Sequence, residues 1–178
     1  RADGGFRAGG PSRGRRPRPS RCAAPSARAA SGKYDSPVRL ALLADVHANL
    51  EALTACLAHA EGQGIAGHAF IGDLVGYGAD PGPVLDVIAA RAEAGAIVVL
   101  GNHDEAAVAS AGDLSASAAS AIAWTRDRLL PRHVDFLRSL PLTVRRGEAL
   151  YVHASADAPS EWIYVTDPVR AARSLDRS

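Results

Sequence analysis

Asp45 and His47 stand two positions apart where a largely apolar run, Val38 to Ala44, gives way to polar residues. In an extended segment residues i and i+2 point the same way, so a carboxylate and an imidazole aim at one point past the strand's carboxyl end. In open α/β sheets that end is where ligands bind. The arrangement recurs. Ala69-Phe70-Ile71 runs into Gly72-Asp73, Ala96 to Leu100 into Gly101-Asn102-His103-Asp104, and Ala149 to Val152 into His153. Taken singly, each has an ordinary explanation: Asp45 as a helix cap, Asp73 or Asn102 as a turn residue, His153 as a hydrogen-bonded, partly buried histidine. Four strand ends that all deliver oxygen or nitrogen donors do not fit a set of unrelated turns. Carboxylate, amide and imidazole donors without a thiolate suit Mn, Fe, Zn, Co or Ni rather than a structural cysteine-type zinc site. A carboxylate shared by two such cations lets them sit about 3.5–4 Å apart, where they activate a water and clamp the oxygens of an in-line displacement at phosphorus.

These donors need a sheet with helices between its strands. Asn49 is a good N-cap for a helix to about Ala60, with Leu50, Leu53, Cys56 and Leu57 on one face and Gly62 and Gly64 ending it. Asp80-Pro81 opens a second helix, Asp as cap and Pro at its first position. Val84, Leu85, Val87 and Ile88 form its apolar side and Gly95 closes it. The unbroken apolar run Ala96–Leu100 reads as a strand covered on both faces. A helical region follows from about Ser117 to Leu137, broken near Pro131. Two strands, Leu142–Arg145 and Ala149–Val152, are joined at Arg146-Gly147 as a hairpin. Residues 162–165 read as extended or irregular, and a last helix begins at Pro168. The order βαβαβ, then helices, then a hairpin, predicts an α/β fold with an added antiparallel portion.

With 178 residues, 47% of them hydrophobic and 22% charged, the chain suits one globular core. No apolar run approaches the roughly 20 residues needed to cross a bilayer, which argues against a membrane-spanning role. Cys22 and Cys56 suggest no disulfide framework; with Cys56 read as facing the core, they point to a cytoplasmic setting. The net charge of +1 hides an asymmetry: residues 1–36 carry nine basic residues against Asp3 and Asp35, and residues 37–178 carry eleven against seventeen acidic ones. Residues 1–36, rich in Gly, Pro, Ser, Ala and Arg, are expected to be a disordered basic tail, with 37–178 as the folded domain. Arg15-Arg16 lacks the hydrophobic region of an export signal. A nuclease would want a basic groove, so the acidic domain makes nucleic acid an unlikely partner. The sequence begins at Arg1 and contains no Met, the expectation for a fragment or a processed chain.

Asp45-x-His47, Gly72-Asp73, Gly101-Asn102-His103-Asp104 and the isolated His153 together resemble the calcineurin-like metallophosphoesterase superfamily. The contexts Asp-Val-His-Ala-Asn-Leu-Glu-Ala-Leu and Gly-Asp-Leu-Val-Gly-Tyr-Gly-Ala-Asp-Pro resemble its bacterial branch of small phosphatases and phosphodiesterases. The resemblance covers about residues 38–178. It implies a two-sheet β-sandwich flanked by helices, two divalent metal ions, and hydrolysis of a small phosphoester or nucleotide by a metal-bridging hydroxide. It implies Asp45 and His47 on one metal, Asn102 and His153 on the other, and Asp73 bridging them. His103 would serve the phosphoryl oxygens or leaving group, with Asp104 orienting its ring. The family's closing Gly-His-x-His does not occur in this sequence. The expectation is therefore a C-terminal truncation that leaves the fragment weak or inactive.

A non-catalytic scaffold on the same fold is disfavoured by the presence of Asp73, Asn102 and His103. A protein Ser/Thr phosphatase needs phosphate-gripping arginines near Asn-His, and residues 105–112 have none. Gly76-Tyr77-Gly78 reads either as a substrate-facing loop or as a plain turn. Trp162 and Tyr164 read first as core packing, with stacking on a base as the alternative. His59, His68 and His133 read as surface residues.

Overall fold

The computed structural model describes residues 39–109 and 114–178. The tail expected at residues 1–36, with Cys22, lies outside the described residues. Three parallel strands, β1 (Leu40–Leu43), β2 (Gly67–Ile71) and β3 (Ile97–Val99), pair in the order β1-β2-β3. Leu43 lies opposite Phe70, and Ile71 opposite Val99, so the three carboxyl ends finish at one edge. Helix α1 (Leu50–Gly62) connects β1 to β2, and α2 (Pro81–Glu93) connects β2 to β3. After β3 come α3 (Asn102–Val108), α4 (Ala116–Arg126) and α5 (Pro131–Ser139). The hairpin β4 (Thr143–Arg146) and β5 (Ala149–Val152) follows as a second, antiparallel sheet, then a 3-10 turn at Pro159–Glu161 and α6 (Pro168–Leu175). The architecture is the mixed α/β fold that the sequence predicts.

Local chemistry explains these elements. The Asn49 side chain accepts from the Ala52 N–H at 2.9 Å and starts α1, whose buried positions Leu53, Leu57 and Ala60 repeat at helical spacing. Pro81 occupies the first position of α2, where its missing N–H costs nothing. Phe70, Leu74, Leu85, Ile88, Ile122 and Leu137 are buried completely or nearly so and join both halves of the chain in one core. The Leu100 N–H donates to the Pro141 carbonyl at 2.9 Å, which holds the entry to the hairpin beside the end of β3. Burying such side chains stabilises by roughly 1.5–3 kcal/mol each.

Four expectations need correction. Cys56 is exposed, because α1 turns Leu53, Leu57 and Ala60 inward instead. Asp80 makes no side-chain capping bond. His68 and His133 are buried rather than on the surface: His68 lies on β2, and His133 bonds Asp86 at 3.0 Å and accepts from the Leu130 N–H. Helix α3, absent from the sequence reading, begins at Asn102 itself. No helix among the described residues is long and apolar enough to cross a membrane.

Candidate metal centre

Past their strands, the chain segments after β1 and β2 continue to pair. The N–H groups of Asp45, His47 and Ala48 donate to the carbonyls of Gly72, Asp73 and Leu74 at 3.2, 2.9 and 2.9 Å, and Gly78 N–H returns to the His47 carbonyl at 2.9 Å. This zipper holds residues where the backbone is strained. Asp45, His47, Ala48, Asp73 and Tyr77 all have φ between 46° and 61°, a region L-residues avoid at a cost of order 1–3 kcal/mol each. Among the described residues, the one other non-glycine in that region is Trp162, at 51°. Among the described residues, strain therefore sits at this end of the sheet and at Trp162, which lines the cavity over it. Gly101 is required by crowding, because a Cβ there would sit 2.1 Å from the Asp73 nitrogen and 2.2 Å from its Oδ1.

The donors converge. His47 Nε2 lies 3.8 Å from Asp45 Oδ1 and 3.7 Å from Asp73 Oδ2. His153 Nε2 lies 3.5 Å from Asp73 Oδ1 and 3.2 Å from Asn102 Oδ1. The two oxygens of Asp73 thus face two different pairs of donors. Asp45, Asp73 and His153 each offer an atom within 4.8 Å of the others, a group compact enough to hold a cation. The far nitrogens of both imidazoles are anchored, His47 Nδ1 to the Val75 carbonyl at 3.2 Å and His153 Nδ1 to the Ile71 carbonyl at 2.6 Å. A carbonyl only accepts, so each Nδ1 carries a proton and each Nε2 is the nitrogen turned to the centre, the orientation of a metal ligand. Donor chemistry, ring orientation and spacing all fit a hard or borderline divalent cation.

The electrostatics agree. Burial pushes the Asp73 carboxyl up, but the nearby His153 and the His103 backbone N–H, 2.9 Å from Oδ1, outweigh it and hold it below the usual range. Burial likewise opposes the His153 imidazolium, yet Asp73 and the Ile71 carbonyl push it up to about 9. Without a cation the pair shares a proton; a cation would displace it. Burial, aided by His47 and His153, holds His103 below its ordinary value against the pull of Asp73.

Asp104 does not orient the His103 ring. Its carboxylate is completely buried and accepts from the Leu74, Val75 and Gly101 N–H groups at 2.8, 3.1 and 3.0 Å. Burial, then the charge of Asp73, push it up to about 7 against those donors. It clasps the β2 loop to the start of α3, which is a positioning role. His103 makes no side-chain hydrogen bond among the described residues; its buried Nδ1 lies against Gly76, where a Cβ would come within 2.7 Å.

The smaller expectations divide. Tyr77 is exposed and packs on the His47 and His103 rings, with centroids 4.9 and 4.8 Å away, so its loop faces the centre. Trp162 and Tyr164 are not core residues. Both line the cavity of about 270 Å³ over the donors, with Tyr164 largely exposed. Glu105, which no sequence argument singled out, accepts the Trp162 indole N–H at 2.9 Å. Nor did the sequence point to the Ile71 and Val75 carbonyls, since every residue has one. For Asp104 a signal existed, because an acid three residues after a helix cap has capping-box spacing.

Residues 38–172 match the calcineurin-like phosphoesterase family. An uncharacterized protein of Methanocaldococcus jannaschii is 33% identical over 132 residues, which are 71% of this chain and 53% of that protein. The metallophosphoesterase of Sphaerobacter thermophilus is 34% identical and superimposes with a TM-score of 0.66, covering 79% of this chain and 56% of its own. A hypothetical protein of Pyrococcus horikoshii OT3, 23% identical, shares the fold at a TM-score of 0.51, over 59% of this chain and 48% of its own. The chain spans about half the length of the relatives it matches. Its four donor-bearing strand ends all fall within the matched stretch, and the chain belongs to the calcineurin-like phosphoesterase family.

Proposed function

We propose that the protein is a two-cation hydrolase of phosphoric esters, acting on a small phosphorylated molecule or a nucleotide. The observation that carries this reading is the division around Asp73: Oδ2 faces His47, with Asp45 beside it, and Oδ1 faces His153, with Asn102 beside it. A bridging carboxylate between two donor pairs is what a dinuclear centre needs. Bound divalent cations would supply an activated water and Lewis acidity toward the phosphoryl oxygens.

The chain's own groups do the rest. The Ile71 and Val75 carbonyls keep the two imidazole Nε2 atoms aimed at the centre before any cation arrives. Asp104 and Asp73 together fix the first turn of α3, so the His103 ring is held by its backbone. With Nδ1 buried against Gly76, Nε2 is the nitrogen left to meet substrate. In its neutral form the ring donates that N–H to a phosphoryl or leaving-group oxygen. The free, exposed thiol of Cys56 suits a reducing, cytoplasmic setting. The family resemblance adds a Gly-His-x-His segment, which we place in polypeptide corresponding to the unmatched half of the relatives.

The test is metal analysis paired with bis-p-nitrophenyl phosphate hydrolysis across Mn, Ni, Co and Zn. Asp73→Asn is expected to lower the metal content and to cost at least about a thousandfold in turnover, since even groups behind a ligand cost 10- to 100-fold. Wild-type rates in that variant would overturn the bridging role. A longer polypeptide carrying Gly-His-x-His is expected to turn over far faster than the 178 residues; equal rates would remove that segment from the centre.

A further inference from the structure

Beside the metal centre, on the far side of Trp162, lies a second cavity of about 490 Å³ that reaches Tyr77, His103 and Tyr164. Its volume is that of a small-molecule site. Glu105 and Glu161 stand in its wall. The Trp162 indole is tied to Glu105 Oε2, and its ring stands edge-on to His153, with centroids 6.1 Å apart. Neither glutamate forms an ion pair among the described residues, and no Lys or Arg is among those lining the cavity. Residues 110–113, Ser-Ala-Gly-Asp, contain no basic residue either. Of the nearby cations, Arg126 is turned to the Ala106 and Ala109 carbonyls, and Arg170 and Arg173 line a different cavity that shares Trp162 and Tyr164.

We propose that this cavity receives the alcohol portion of the phosphoester. It selects alcohols that join an aromatic or apolar body to a positive charge or N–H donors, and it rejects those bearing further phosphate or carboxylate. The proposal rests on the hydrolase reading above. Hydrolysis forms a P–O bond to water and breaks the P–O bond to the alcohol, whose oxygen takes up a proton. His103, the group available to that oxygen, stands where the metal centre meets this cavity, so atoms beyond the breaking bond continue into it. There the faces of Trp162 and Tyr77 offer stacking and cation–π contact. Two carboxylates without counter-charge attract a cation and repel an anion.

The test compares tyramine phosphate, phenyl phosphate and 4-carboxyphenyl phosphate, with their methyl diesters, on the metal-loaded protein. The three phenols have similar acidity, so differences in rate report the cavity. We expect kcat/KM to fall in that order, with the first and last separated about tenfold or more. Glu105→Gln combined with Glu161→Gln should shrink the separation to about twofold, the glutamine amide oxygen still accepting from Trp162. Equal or reversed kcat/KM overturns the proposal and leaves the hydrolase reading standing. If these esters and bis-p-nitrophenyl phosphate are all inert, on the longer polypeptide carrying Gly-His-x-His as well, the hydrolase reading falls, and the cavity is judged by product binding. Quenching of Trp162 fluorescence, identified by its loss in Trp162→Phe, should then need less tyramine than 4-hydroxybenzoate. The opposite order, or no difference, overturns the selectivity.

Discussion

Two cavities meet at Asp45 and are built on opposite principles. One, of about 820 Å³, runs along the free edge of β1 and under α1, past Leu42, Leu53 and Cys56. The other, of about 270 Å³, covers Asp73, Asn102 and His153. The first is roomier and mostly apolar, walled by regular strand and helix. The second is walled by residues in left-handed conformations and by the His153 imidazole, whose far nitrogen is already engaged; behind Asp73 stands a glycine with no space for a methyl. Volume comes from leaving a sheet edge uncovered; chemistry comes from convergence and from strain held in place by its neighbours.

Mutation can sharpen that contrast. Gly101→Ala should destabilise by about 3–5 kcal/mol, because backbone and side-chain atoms of Asp73 occupy the methyl's place. Gly62→Ala, at the end of α1 with nothing within 4 Å of its Cβ position, should be neutral or stabilise by up to about 1 kcal/mol. Urea unfolding midpoints with unchanged slopes would show this difference, and equal losses would refute the claim that the backbone is crowded around Asp73.

A second test uses pH on the metal-free protein. The folded pKa of His153, about 9, lies above its unfolded value near 6.5. Its contribution is therefore complete below about pH 6.5 and lost as pH rises through 9. Asp73, held low, is the acid side of the same pair, with stability lost as pH falls through its folded value. His153→Asn should flatten the alkaline slope in chemical denaturation, and so should saturating divalent cation. An unchanged slope in the variant would detach His153 from Asp73. The smallest effect belongs to the roomier cavity. Leu42→Ser, at a position 66% exposed, should change stability by less than about 1 kcal/mol and leave turnover unchanged.

Much of this was legible in the sequence. Asp45, His47, Asp73, Asn102 and His153 were marked by standing at the ends of apolar runs, and the structure brings all five together. Periodicity located α1 and α2 because each presents a full apolar stripe. It missed α3, whose seven residues are too few to show a stripe or to be stable alone; contacts of Asp73 and Asp104 with its first turn hold it. The inward face of α1 was drawn one position off, at Cys56, because a small apolar residue fits either side of a helix boundary. His133 was read as a surface residue because its partner, Asp86, lies forty-seven residues away in sequence.

The carbonyls of Ile71 and Val75, which suspend His153 and His47, lie two residues before and two after Asp73. One five-residue span thus carries the central carboxylate and both hangers. If that span shifts, the three groups travel as a set, and the gaps between them are conserved while their common location changes. Thermal breathing should therefore translate the centre more readily than distort it, and damage to either hanger should compound damage to the other rather than simply add.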